Sequence, residues 1–149
     1  MSKQRPAGLT STLAFQLGIL GTTVTELYAA KIAALGLKPK HAGLLALLAD
    51  GAASSQAEAA ETMGVAPSFM VGLADRLQEI GAVTRQRDPR DRRRQVLAPT
   101  EEGIALLKAC NAIAEAIDAD LTADLKPGDA EALRRSLATM TGFPRSADR

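Results

Sequence analysis

Apolar positions along the chain recur with a helical period, interrupted once by a short and heavily charged stretch. From Ser11 to about Leu35, Leu13, Leu17, Leu20, Val24 and Leu27 lie four and three residues apart, and Phe15, Ile19, Tyr28, Ile32 and Leu35 form a second edge. That breadth predicts a long helix shared between the core and a second copy of the chain; a core helix of a monomer is the alternative. Gly36-Leu37-Lys38-Pro39 joins a helix stop to a proline suited to the first position of the next helix. The segment Pro39 to Ala49, with Leu44, Leu45, Leu47 and Leu48, then reads as buried. Ser55-x-x-Glu58 is a capping box that opens a brief helix closing at Gly64, and Pro67 begins another running to Gly81. Two short helices around a glycine turn predict a helix-turn-helix. In the second of them Met70, Leu73, Leu77 and Ile80 face the core. Ser68, Phe69, Val71, Gly72, Asp75 and Arg76 fall outside that stripe and are candidates for the major groove or its flanks. Thr100 is placed to cap a helix from Glu101 to Asp124, with Ile104, Leu107, Ile113, Ile117 and Leu121 on one side. Pro127-Gly128-Asp129 breaks it, and a last helix carries Ala130, Leu133, Leu137 and Met140.

The interruption has period two. Val83, Arg85 and Arg87 predict a strand, Asp88-Pro89-Arg90-Asp91 a tight turn, and Arg93, Gln95 and Leu97 a return strand that Pro99 is expected to cut short. Six arginines (Arg85, Arg87, Arg90, Arg92, Arg93 and Arg94) face only Asp88 and Asp91, although the whole chain carries a net charge of +1. The balance reverses directly afterwards, where Lys108 and Lys126 are the only bases between Glu101 and Glu131. A basic hairpin beside an acidic helix orients the molecule on a polyanion, of which duplex DNA is the commonest. A solvated hairpin whose charge protects an open edge is the plainer alternative. On the DNA reading, Arg90 and Arg92 near the turn enter the minor groove or grip its phosphates, and Arg87 and Arg94 flank it.

Four motifs occur in order: Gly64-Val65-Ala66-Pro67-Ser68; Leu73-x-Asp75-Arg76-Leu77-x-x-x-Gly81-x-Val83; Asp88-Pro89-x-Asp91-Arg92-Arg93; and Thr100-Glu101-Glu102-Gly103. This ordered set, with its gaps, resembles the MarR (multiple antibiotic resistance regulator) family over nearly the whole chain. The resemblance implies a mainly α fold with a small β-hairpin wing, a winged helix-turn-helix dimerised through its N- and C-terminal helices. It implies a homodimeric repressor or activator of transcription on double-stranded DNA, with affinity often set by a small ligand or by oxidation. Residues 37–103 would form the DNA-binding module, and 1–36 and 104–149 the dimerisation helices, with Leu13, Leu17, Leu20, Val24, Leu133, Leu137 and Met140 at the interface. It further implies that Asp75 pairs with Arg93, bracing the wing against the recognition helix. The chain departs from the family pattern at Ala66, where a capping Ser is common, and at Phe69, Val71 and Gly72, which replace small hydroxyl and basic residues. Apolar side chains touch thymine methyl groups but cannot read guanine or adenine by paired hydrogen bonds. More of the affinity is therefore expected from the wing.

The remaining chemistry is sparse. No nucleophile is paired with a base, and no metal-ligand cluster or phosphate-binding glycine loop is present, so neither an enzyme, a cofactor nor a metal is expected. A single cysteine suits a reducing cytoplasm; neither a signal peptide nor a membrane span is read in the sequence. Cys110 lies on an apolar stripe and reads as a buried inert thiol rather than a redox sensor. His41 reads as a solvated helix cap and Tyr28 as a packing residue; each is also a candidate contact for an effector. Gly18, Gly21 and Gly43 either permit tight helix packing or leave room for a modest apolar or aromatic acid where the first, second and fifth helices meet. The rival function is a winged-helix module that binds another protein, with DNA binding weakened by the altered recognition helix.

Overall fold

Thr12, rather than Ser11, starts the first helix: its hydroxyl accepts from the Phe15 amide at 3.3 Å. The computed structural model describes residues 8–140. The outermost parts of both expected dimerisation segments, and the N-terminal stretch in which no signal peptide is read, lie outside the described residues. Helix α1 spans Leu13–Ile32 and is followed by a 3-10 turn, Ala33–Leu35, that Gly36 ends at φ 71°. Then come α2 (Pro39–Ala49), α3 (Gln56–Met63), α4 (Pro67–Glu79), β1 (Val83–Arg87), β2 (Gln95–Pro99), α5 (Glu101–Thr122) and α6 (Asp129–Met140). The chain divides into two units, one running to Ala114 and the other from Glu115 onward.

In the first unit the core gathers Ile32, Leu37, Leu44, Leu45, Leu48, Met70, Leu73, Leu77, Val83, Leu97 and Cys110. The stripe expected on α4 is present, with Ala74 added to it and Ile80 half-buried. Gly64 turns the chain from α3 to α4 in the left-handed region (φ 63°), which a β-carbon would disfavour. Only Ile32 of α1 is buried; Leu13 is 72% exposed, and Leu17, Ile19, Leu20 and Leu27 are exposed as well.

The hairpin is antiparallel, with Arg85 opposite Leu97 and Arg87 opposite Gln95. Arg93 therefore belongs to the turn and not, as expected, to the return strand. Pro99 does not shorten β2 either. The Thr100 amide donates to the Ala82 carbonyl (3.0 Å) and the Asp88 amide to the Arg94 carbonyl (2.8 Å). The Val83–Pro99 pair thus falls between hydrogen-bonded pairs, where a missing N–H breaks no ladder bond. The Leu97 amide also donates to the Ser54 carbonyl (2.8 Å), which ties β2 to the loop before α3. Thr100 caps α5 as expected, accepting from the Gly103 amide at 3.0 Å.

The second unit holds the end of α5 and α6. Arg134 lies 3.6 Å from Asp118 and 3.8 Å from Glu131, joining the two helices at the surface. Leu133, Leu137 and Met140 are exposed along α6. Helix α5 ends at Thr122, short of Asp124, and Leu121, expected on the buried side, is exposed. Among the described residues no single helix is long and apolar enough to cross a membrane.

Candidate nucleic-acid interface

Helix α4 begins at Ala66, whose methyl group offers its first turn no acceptor, and Pro67 supplies a preset φ in compensation. Ser68, Phe69, Val71, Gly72 and Asp75 are exposed, with Phe69 at 48% and Val71 at 42%. Arg76 is not a free cation on that face. Its guanidinium donates to Glu79 at 2.8 Å and reaches the Gly36 carbonyl at 3.5 Å. The helix's only arginine is thus held at its edge by partners within the protein.

The six hairpin arginines divide into two groups. Arg85 is the brace. It donates through Nε to Gln56 of α3 (2.9 Å), through Nη1 to Gln78 of α4, and through Nη2 to Asp75 of α4 (2.5 Å). The expected Asp75–Arg93 pair is thus replaced by Asp75–Arg85, because Arg85 shares the inward face of β1 with buried Val83 whereas Arg93 sits beyond the ladder. Arg94 likewise has partners within the protein, pairing with Glu58 of α3 and reaching the Ser54 hydroxyl (3.4 Å).

Glu58 organises this second anchor. The Ser55 hydroxyl accepts from the Glu58 amide (3.2 Å), but the carboxylate accepts from the Ser54 amide (2.9 Å) and hydroxyl (3.0 Å), one residue earlier than a capping box requires. The Ser54 amide, then its hydroxyl and then Arg94 hold the Glu58 carboxyl down at about 2.

Arg87, Arg90, Arg92 and Arg93 remain exposed, and none forms an ion pair among the described residues. The two turn acids do not neutralise them. Asp88 accepts from the Arg90 amide (2.8 Å) and Asp91 from the Arg93 amide (3.0 Å), so both carboxylates are engaged in shaping the backbone. Sequence reasoning missed two further bases, Lys38 and Lys40, at the start of α2. Lys40 Nζ stands 5.9 Å from the centre of the Phe69 ring, which brings α2 to the exposed face of α4. Their signal was available as two lysines flanking the helix-starting Pro39.

The effector candidates have separate partners. Tyr28 is half-buried; burial first, then the nearby Cys110, pushes its hydroxyl up to about 12. Cys110 is fully buried and burial pushes its thiol up, as an inert core thiol requires. His41 is a cap but not a solvated one: its Nδ1 accepts from the Lys38 amide (2.9 Å) in a ring only 7% exposed. Gly18 and Gly21 face open space, while Gly43 packs near Met63, so the three do not line one crevice. Among the described residues no cluster of His, Cys, Asp or Glu could hold a metal ion.

Comparison with known proteins agrees with this geometry. Residues 35–94, from the end of the α1 segment through the tip of the wing, match the model of the MarR family. An HTH-type transcriptional regulator of Bacillus subtilis (strain 168), YcgE, is 34% identical over 80 residues; the match spans 54% of this chain and about half (52%) of that relative. A MarR-family transcriptional regulator from Rhodococcus sp. RHA1 superposes with a TM-score of 0.78 at 29% identity, over 94% of this chain and 100% of the other. CouR from Rhodococcus jostii RHA1, in complex with p-coumaroyl-CoA, is 30% identical over 94% of this chain and 98% of its own, with a TM-score of 0.76. The transcriptional repressor CouR bound to a 23-mer DNA duplex gives the same TM-score, 0.76, at 29% identity over 93% of this chain and 99% of the other. With its helix-turn-helix, its clamped hairpin and these likenesses along almost its full length, the chain belongs to the MarR family of transcriptional regulators.

Proposed function

We propose that the chain binds a pseudo-palindromic duplex site as a homodimer, with residues 37–103 as the DNA-binding module and the flanking helices as the dimer contact. The observation that carries this reading is the division of the hairpin arginines. Arg85 and Arg94 fix the wing to α3 and α4, which leaves Arg87, Arg90, Arg92 and Arg93 unpaired on a positioned support. CouR, similar along its whole length, is a repressor that binds a DNA duplex. Arg90 and Arg92 meet the minor groove or its phosphates, and Ser68, Phe69, Val71 and Gly72 face the major groove, where the two apolar side chains contact thymine methyl groups.

The test is a titration of duplex DNA from beside the protein's own gene at several salt concentrations. Replacing both Arg90 and Arg92 with alanine should weaken binding to every sequence and lower the salt slope by about 0.9 for each phosphate that is no longer neutralised. An unchanged slope would remove the wing from the interface. The exposed Phe69 and Val71 also favour a second reading, in which this face docks another protein. Wild-type protein that ignores every duplex tested would select that reading.

Dimerisation rests on the exposed apolar positions. Among the described residues, all the large exposed hydrophobic side chains except Phe69 and Val71 lie from Leu9 to Leu27 or from Leu121 to Met140. Leu13, Leu17, Leu20, half-buried Val24, Leu133, Leu137 and Met140 supply the contact. Light scattering should return twice the chain mass, and a monomer at micromolar concentration would refute the assignment.

Regulation follows from the same symmetry. A small apolar or aromatic acid controls the protein if it binds one spacing of the two recognition helices better than another, the competent spacing being roughly 34 Å. CouR in complex with p-coumaroyl-CoA supports an aromatic acyl ligand. Calorimetric titration with aromatic carboxylates and their thioesters should find a ligand that shifts DNA affinity. Ligands that bind without shifting it would disprove control through this route.

A further inference from the structure

Between the starts of α2 and α4 lies an open groove of about 270 Å³, lined by Lys38, His41, Ser68, Phe69, Gly72 and Leu73. Its chemistry is one-sided, with no carboxylate in the lining. The Nδ1 atom of His41 accepts the Lys38 amide at 2.9 Å, which places the ring proton on Nε2. The ring is 7% exposed, and Nε2–H has no partner among the described residues. Burial, followed by the nearby charges of Arg76 and Lys38, lowers the tendency of His41 to take a second proton. It is therefore a neutral donor on a largely buried residue that lines the open groove. Across from it Ser68 stands in the first turn of α4, which no side chain caps. Lys38 and Lys40 add positive charge; neither forms an ion pair among the described residues, and Lys40 lies over the Phe69 ring. The first turns of both helices present the positive ends of their dipoles here. Gly72 leaves this side of α4 unobstructed, since a β-carbon on it would meet nothing within 4 Å.

We propose that this groove is a phosphate site that seats one backbone phosphate of bound DNA beside the recognition helix, with His41 Nε2–H and the Ser68 hydroxyl as donors and Lys38 and Lys40 as its charge. The assignment rests on the DNA-binding reading above. It adds a positioning contact outside the wing, which fixes the recognition helix in register without reading bases. A lining with a lysine, an imidazole N–H and a hydroxyl but no carboxylate suits phosphate and disfavours a cation. The open form suits a chain of phosphates passing through. A free anion would use the same donors, so the experiment separates the two sources.

The variant is Lys38→Gln with Ser68→Ala. It spares the Lys38 amide, His41 and the core, and it is compared with Arg90→Ala/Arg92→Ala and wild type in the salt-dependent DNA titration. The groove variant should bind specific and unrelated duplexes about tenfold more weakly, with a salt slope lower by about 0.9 for the one phosphate released. In the wild type, the His41 Nε2 nitrogen resonance should move when duplex is added. If the wing variant loses slope and the groove variant keeps the wild-type slope, the groove assignment is overturned while DNA binding stands. If wild type binds no duplex, both fall together. If inorganic phosphate moves the His41 resonance and the groove variant binds DNA like wild type, the groove is a free-anion site and the DNA assignment is wrong.

Discussion

Gly103→Ala should destabilise the protein by about 3 kcal/mol, near the upper end of what overpacking a buried site costs. Alanine normally favours a helix by about 1 kcal/mol over glycine, so the expected sign is opposite to that of propensity. A β-carbon at Gly103 would fall on the Ala82 carbonyl oxygen, 2.9 Å from its carbon and 3.2 Å from its Cα. All three obstacles are backbone, and that carbonyl is fixed by its bond from the Thr100 amide (3.0 Å). Helix α5 has little freedom to retreat. The Thr100 hydroxyl both donates to the Gly81 carbonyl (2.5 Å) and accepts from the Gly103 amide (3.0 Å). Gly72→Ala is the internal control, because a β-carbon there meets open space and should raise stability by about 1 kcal/mol. Urea denaturation of both variants measures the contrast. Gly103→Ala with wild-type stability would mean that α5 and the hairpin slide apart at no cost.

Arg85→Ala should weaken DNA binding by one to two orders of magnitude although Arg85 faces α3 and α4 and not the solvent side of the wing. One guanidinium joins Gln56, Gln78 and Asp75, and its side chain is only 22% exposed. Its removal frees the hairpin from the recognition helix and costs about 1–3 kcal/mol in hydrogen bonds to a charged group. Arg93→Ala removes an exposed cation and should alter the salt slope while leaving the denaturation midpoint unchanged. Asp75→Ala separates geometry from charge. Charge alone predicts tighter DNA binding when a carboxylate is deleted near phosphate, whereas the brace predicts weaker binding. Tighter binding by Asp75→Ala, or a stability loss on Arg93→Ala in place of Arg85→Ala, would sink the brace.

The limits of sequence reading are visible in these same residues. Helix order, the wing strand Val83–Arg87, the Thr100 cap and the missing cap at Ala66 were legible because each depends on neighbours a few positions away. The partners of the arginines were not. A guanidinium reaches several ångströms, so adjacent arginines in one hairpin can serve quite different elements. Strand alternation did contain the signal, since Arg85 lies two residues from buried Val83 and so shares its inward face. Family resemblance pointed instead to Arg93. The first-turn position of His41 marks it as a cap, but its burial depends on α4, which returns only in three dimensions. Gly103 belongs to a motif whose spacing is evident, while the reason for it, a carbonyl about twenty residues away, is not. The free glycines give the opposite lesson: small residues at Gly18 and Gly21 suggest a cavity, and the backbone turns both to open space.

The Leu97–Ser54 backbone bond and the Glu58–Arg94 pair hold the return side of the wing to α3 and the loop before it, while Asp88 and Asp91 shape its turn. Such a hairpin has little left to order when it meets a duplex, and the entropy that a mobile arm would lose on docking is already lost on folding. Calorimetry should register this directly. The heat-capacity change on binding should match the apolar surface covered at Phe69 and Val71, without the large additional decrement that accompanies a segment folding onto its target. Association should likewise proceed as the docking of a finished shape, its rate set by salt and by diffusion.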